Sequence, residues 1–311
     1  MSSMLVVGSV ALDTLHMPTG SHPRVLGGSG TFASLAGSLF TDVKLVGVVG
    51  SDFPKAGLAL LEEKGIDIGG VEVVEGGRTF HWEGRYSPDL TSRTSIQTEL
   101  NVFADFHPKI PAAHRATPFV MLGNIHPDLQ VEVLDQIERP KLVIADTMNF
   151  WISGTPKELA RMLARIDILV INEEEARELA GVHNITKAAR ALRAMGPSRV
   201  IIKRGEYGAL LFEEGDVFSA PAYPLDAVLD PTGAGDSFAG GFLGYVARAG
   251  SVDSNVLRRG VIHGSVVASF CVEGISVDRL RTVREDEVAS RYTAFARLAH
   301  FATTQELRGI S

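Results

Sequence analysis

Short runs of apolar, β-branched residues alternate with helical stretches along most of this chain, and no other feature constrains the architecture as tightly. MLVVGSV (4–10), VKLVGVVG (43–50), FVMLGN (119–124), KLVIADT (141–147), DILVIN (167–172), RVIIKRG (199–205) and GALLFEE (208–214) read as short strands. Between them TFASLAGSLF (31–40), AGLALLEEKG (56–65), DLQVEVLDQI (128–137), PKELARMLARI (156–166), EEEARELAG (173–181) and ITKAARALRAMG (185–196) read as helices. From Ala234 onward the chain is mostly helical. Such units close by right-handed crossovers, which predicts an α/β fold: a doubly wound, mostly parallel sheet flanked by helices on both faces.

Residues 71–100 break the rhythm. VEVVEGGRTFHWEGRYSPDLTSRTSIQTEL alternates apolar and polar residues around Gly76–Gly77 and has no helical period. It reads as antiparallel hairpin structure with one solvated face, on which Phe80, Trp82 and Tyr86 share a side. No repeat, linker or charge tract splits the 311 residues, so 1–311 is read as a single domain.

Composition excludes several function classes. Asp plus Glu number 37 against 30 Lys plus Arg, a net charge of −7, so there is no basic footprint for nucleic acid. The apolar runs are too short for a membrane span. MSSMLVVGSVALD has no basic n-region and reaches Asp13 too early for a signal peptide. The single cysteine, Cys271, rules out an internal disulfide and suits a reducing compartment. A cytoplasmic enzyme is the expectation. The nine histidines form no H-x-x-x-H pair with a nearby carboxylate, which argues against a dedicated zinc site. VGSVALD after the first strand is not G-x-G-x-x-G, and no lysine follows a glycine, so neither a dinucleotide fingerprint nor a P-loop is present.

The strongest chemical signal is DPTGAGDSFAGGFLGY at 230–245. Thr232, Gly233, Ala234 and Gly235 turn into a helix that carries Asp236 in its first turn. Small residues let backbone N–H groups approach a ligand, and the positive end of the helix dipole favours a phosphate there. Asp236 is placed to take a proton from a bound hydroxyl. The blander reading is that Asp236 only complements the helix dipole and the glycines only serve packing.

With the rest of the chain, this segment resembles the second signature of the PfkB/ribokinase family of carbohydrate kinases, D-x-T-G-A-G-D-x-F. VGSVALD (7–13) is similar to the family's opening strand, GGSGTFASLAGSLFTDVKLVGVVGSDF (27–53) to its first signature, Asn172-Glu-Glu-Glu175 to N-x-x-E, and IIKRGEYGALLF (201–212) to the turn beside the nucleotide. The match runs from about residue 4 to about 280. The resemblance implies transfer of the ATP γ-phosphoryl group to a hydroxyl of a sugar or sugar-like alcohol. It implies a small β-sheet lid made mainly of 71–100 with a segment near 13–25. Asp236 would be the base, and the backbone of Gly233, Ala234, Gly235 and Asp236 the anion hole. Asn172, Lys203, Gly205 and Gly208 would lie on the ATP side. Glu175 would help hold Mg²⁺ through water. Asp13, Gly27, Gly28 and Phe32 would border the acceptor. Asp230 and Thr232 occupy positions where some members bind a monovalent cation such as K⁺.

Several positions have a structural reading beside the functional one. Asn172 serves equally as a helix N-cap, Glu175 as a first-turn carboxylate, Asp13 and Asp230 as turn residues, and Gly205 and Gly208 as turn glycines. Two positions depart from the family pattern. Phe32 stands where many sugar kinases carry asparagine; it cannot hydrogen-bond a hydroxyl but can stack on a flat or apolar group. Lys203-Arg204 stand where threonine and an apolar residue are common, and either reach ATP phosphates or form solvated surface. The leading expectation is therefore a carbohydrate kinase using ATP and Mg²⁺. The alternatives are a nucleoside kinase of the same family or a non-catalytic ligand sensor. An exposed apolar lid face would favour a homodimer through the lid.

Overall fold

The structure is a computed structural model that describes residues 2–299; residues 1 and 300–311 of the expected single domain lie outside the described residues. In chain order the strands are β1 (Ser3–Val7), β2 (Ala11–Met17), β3 (Gly20–Gly27), β4 (Asp42–Gly50), β5 (Ile66–Val74), β6 (Phe80–Tyr86), β7 (Arg93–Glu99), β8 (Phe119–Leu122), β9 (Leu142–Asp146), β10 (Ile168–Asn172), β11 (Arg199–Lys203), β12 (Ala209–Glu213) and β13 (Asp216–Ala220). Nine of them form one sheet in the order β13-β12-β11-β10-β9-β8-β1-β4-β5. All its pairings are parallel except those of β12, which runs antiparallel to both neighbours.

The helices are α1 (Ser29–Ser38), α2 (Lys55–Glu63), α3 (Pro127–Leu134), α4 (Asn149–Gly154), α5 (Pro156–Leu163), α6 (Glu173–Ala180), α7 (Ile185–Ala194), α8 (Ala234–Ala249), α9 (Ser254–Cys271) and α10 (Glu285–Ala299). Strand alternation feeds two apolar layers. Met4, Val6 and Leu45 face the layer shared with α1, α8 and α9, while Leu5, Val7 and Val46 face the layer shared with α5 and α7. This is the doubly wound α/β sheet expected from the sequence. The strand order reverses beside β1: the chain runs first outward to β4, then returns to β8 on the other side. Open α/β sheets bind ligands beyond the carboxyl ends of strands at such a switch point.

α1 and α8 cross closely because both are built of small residues. A Cβ on Gly240 would fall 2.2 Å from the Ala33 carbonyl oxygen, and one on Gly244 would fall 2.9 Å from the Gly37 Cα. Among the described residues, no helix is long and apolar enough to cross a membrane.

A second sheet of four strands, β3-β2-β6-β7, stands apart from the first. Its extent corrects the sequence reading. Residues 71–74 lie in β5, the edge strand of the large sheet, parallel to β4. An edge strand with one solvated face alternates like a lid strand, so the pattern alone misplaces it. Gly76–Gly77 therefore turn the chain from one sheet to the other, and the hairpin of the small sheet joins β6 to β7. β2 and β3, spanning 11–27, supply half of the small sheet.

One face of this sheet carries Asp13, Leu15, Met17, Val25, Trp82 and Tyr86, with Asp13 directly opposite Trp82. The other face is polar: His16 Nε2 lies 2.7 Å from Glu83 Oε1, and His16 Nδ1 lies 2.8 Å from Ser21 Oγ. Among the described residues of this sheet, Ile96 is the one large apolar side chain left exposed.

Candidate active site

Three neighbouring parallel strands end on a polar residue: β9 on Asp146, β10 on Asn172 and β11 on Lys203. Asn172 and Lys203 are register partners. Asn172 caps α6, its Oδ1 accepting from the Glu175 N–H at 2.8 Å, while its own N–H donates to Glu175 Oε2 at 3.1 Å. This reciprocal capping box realises the structural reading of Asn172. Glu175 is buried rather than solvated. Burial and the Asp146 charge raise its pKa to about 7, against the opposing pull of Lys203 and the Asn172 N–H.

The 230–236 turn is fixed from below. Asp230 is fully buried; its Oδ1 accepts from the Thr232 N–H and its Oδ2 from the Ser276 N–H, both at 2.8 Å. Both carboxylate oxygens thus already serve as a structural joint. Ser276 in turn donates its hydroxyl to the Leu26 carbonyl, tying the turn to the end of β3. Gly233 caps α8 with a left-handed φ of 75°. The N–H groups of Gly233 and Gly235 have no partner among the described residues. That of Ala234 donates to the Pro231 carbonyl, 3.2 Å away, and is therefore already engaged.

Asp236 follows in the first turn of α8, half-buried. Desolvation and the Asp146 charge raise its pKa to about 7, opposed by the positive charges of Lys203 and Arg93. Lys203 donates to Asp146 Oδ2 at 2.8 Å, and its Nζ lies 2.8 Å from where a Cβ on Gly235 would sit. Burial acts to lower the Lys203 pKa, but the Asp146 and Glu175 charges outweigh it and the pKa is raised. Arg204 points instead to Glu173, 2.8 Å away. Gly205 (φ 56°) and Gly208 (φ 90°) turn the chain after β11, and a Cβ on Gly208 would strike the Ala220 carbonyl at 2.1 Å.

On the other side of the turn, the Asp13 carboxylate rests on the Gly27 backbone, where a Cβ would meet Oδ2 at 2.0 Å. Its pKa is pushed up to about 8 by burial, then by Asp230 and Asp236. Gly28 (φ 92°) brings the chain against the Ser9 carbonyl, 2.3 Å from a notional Cβ. Asp13, Gly27 and Gly28 therefore gather at one place.

Phe32 does not join them. Its side chain is 1% exposed, and its ring lies under Gly233, with Cγ 2.3 Å from a notional Cβ there. The stacking surface expected of Phe32 is buried in the core, because α1 is enclosed on all sides. Phe32 supports the 230–236 turn from beneath.

Sequence reasoning missed Asp146, Ser276, Arg93 and His22, and saw Tyr86 only as one aromatic of a hairpin. Tyr86 reaches across from the small sheet, its hydroxyl 2.7 Å from that of Thr232. His22 pairs with Leu15 and carries a buried Nε2 with no partner among the described residues.

A large, mostly parallel sheet flanked by helices and a smaller mixed sheet together define the ribokinase-like class of α/β proteins. The crystal structure of Methanocaldococcus jannaschii nucleoside kinase matches with a TM-score of 0.76 at 20% identity, covering 94% of this chain and 99% of that one. The structure of Arabidopsis thaliana ribokinase complexed with ribose and ATP matches with a TM-score of 0.73 at 21% identity, covering 94% and 99%. The chain belongs to the pfkB family of carbohydrate kinases, whose model matches residues 5–278. In sequence it is 31% identical over 256 residues to the cytidine kinase of Thermococcus kodakarensis, covering 80% of this chain and 90% of that protein.

Proposed function

We propose that this protein is an ATP-dependent nucleoside kinase, with Asp236 as the base that takes the proton from the acceptor hydroxyl. The observation that carries the catalytic half is Asp236 in the first turn of α8, beside N–H groups that lack partners, with a pKa raised to about 7. A carboxyl titrating there is matched to accepting a proton near neutrality. Phosphoryl transfer otherwise asks mainly for positioning and for neutralisation of charge on the phosphate oxygens, which the Gly233–Gly235 turn supplies.

Two things favour a nucleoside over a simple sugar. One is the likeness to a cytidine kinase across most of the chain. The other is the inner face of the small sheet, where Asp13 and His22 offer polar groups beside Trp82, Leu15, Met17 and Val25. Such a face suits an acceptor with hydroxyls at one end and a flat apolar ring at the other. Asp13, Gly27 and Gly28 border that acceptor, while Asn172, Lys203, Gly205 and Gly208 lie toward ATP.

Glu175 is a buried carboxylate that would hold a divalent cation through water, whereas both Asp146 carboxylate oxygens are already engaged, by the Thr147 N–H and by Lys203. Mg²⁺ held there would neutralise charge on the phosphate oxygens. An ADP-release screen over nucleosides, pentoses, hexoses and sugar acids, with and without K⁺, tests the proposal. Turnover led by nucleosides supports it. Turnover confined to sugars overturns the acceptor class, and binding without turnover overturns the enzyme.

A further inference from the structure

Lys203 and Asp146 bury two opposite charges side by side, 16% and 8% exposed and 2.8 Å apart. A pair like this returns little net stability, because desolvation offsets the attraction. A second, independent observation says where the ammonium points. It lies against Gly235, 2.8 Å from the place of a Cβ, at the turn where the Gly233 and Gly235 N–H groups have no partner among the described residues. Any side chain at position 235 would displace it.

We propose that Lys203 is a catalytic residue, its ammonium forming a cationic wall of the anion hole against the transferring phosphoryl group, and that Asp146 is a positioning residue that holds it there. The proposal rests on the phosphotransfer reading and deepens it. In that reaction the bond between the γ-phosphorus and the β–γ bridging oxygen breaks, and a bond from phosphorus to the acceptor oxygen forms. The acceptor proton passes to Asp236, and ADP leaves with the bridging oxygen. Lys203 exchanges no atom and stays protonated throughout. Its contribution is a fixed charge facing the equatorial oxygens, where the transferring charge is spread. Asp146 spares that ammonium from reorienting, since its carboxylate sets the rotamer before ATP arrives. Without Lys203, the carboxylates of Asp236 and Glu175 would face an anionic phosphate with far less to balance them.

The test is a double-mutant cycle read by ADP release, with ATP and acceptor each varied. Lys203→Met lowers kcat by about 10²–10³ while KM for ATP moves only a few-fold. Lys203→Arg recovers part of the loss. Asp146→Asn alone lowers kcat by about 10²-fold, yet adds nothing in the Lys203→Met background, because Asp146 acts through the lysine. The double variant pairs two neutral groups, so it folds even where a single variant, left with an unpaired buried charge, does not. Near-normal kcat in Lys203→Met overturns the inference, as does a rise confined to KM for ATP or two effects that multiply in the double variant. Wild-type protein that releases no ADP with any acceptor overturns the phosphotransfer reading itself, and the inference with it.

Discussion

The hydroxyl of Tyr86 lies 2.7 Å from the hydroxyl of Thr232, and this bond fastens the small sheet to the 230–236 turn at the start of α8. Thr232 is held in turn by the Asp230 carboxylate, which also holds Ser276. The sheet bearing Asp13 and Trp82 is thereby coupled to the helix bearing Asp236.

Tyr86→Phe removes that coupling and little else. One hydrogen bond is worth about 1 kcal/mol, a factor of about five. KM for the acceptor should rise by about that factor, with the thermal midpoint nearly unchanged. Michaelis curves for the two proteins check it; an unchanged KM means the bond does not hold the small sheet over the acceptor.

Phe32→Asn restores the residue common in the family but places an amide in the core under Gly233. Loss of a buried phenyl ring costs about 3–5 kcal/mol, and an unpaired buried amide adds to that. Urea unfolding should show a loss of at least that order, with no gain of sugar turnover. A stable variant with new activity on sugars would return position 32 to the acceptor site.

How much of this was legible beforehand differs from residue to residue. Asp236 and its turn stood out through the long D-x-T-G-A-G-D-x-F signature, since small residues and a carboxylate at a helix start serve packing and the helix dipole equally well. Asn172 was readable as either cap or ligand, and its capping box with Glu175 shows that the local role is met in full. Phe32 was not readable: its place among glycines is the same whether the ring points into the pocket or beneath the turn, and the packing of α1 against α8 decides. Residues 71–74 misled because an edge strand and a lid strand share a period of two. Asp146 escaped notice because its charged partner, Lys203 at the end of β11, is distant in sequence.

Asp13 makes stability depend on pH. Its folded pKa, about 8, is raised above the unfolded value of 3.8, so the folded state binds the proton more tightly. Asp13 therefore disfavours folding increasingly as pH rises through that window. Asp13→Asn should melt several degrees above wild type at pH 8.5 and show much less advantage near pH 4, while losing acceptor affinity. Thermal melts across pH check it; a gap that does not widen with pH contradicts the assignment.

The pH dependence of catalysis follows from Asp236, whose pKa is raised to about 7, mainly by burial. The base must be ionised, so kcat/KM at limiting ATP should fall tenfold per pH unit below about 7 and level off above it. A rate independent of pH between 5 and 8 would exclude Asp236 as the base.

The most direct test of the account is ADP release by wild type and Asp236→Asn, measured side by side with the best nucleoside acceptor, alongside ATP binding. Wild type should turn over. Asp236→Asn should lose about 10²–10⁴ in kcat while binding ATP as before. Near-wild-type turnover by Asp236→Asn would contradict the central claim.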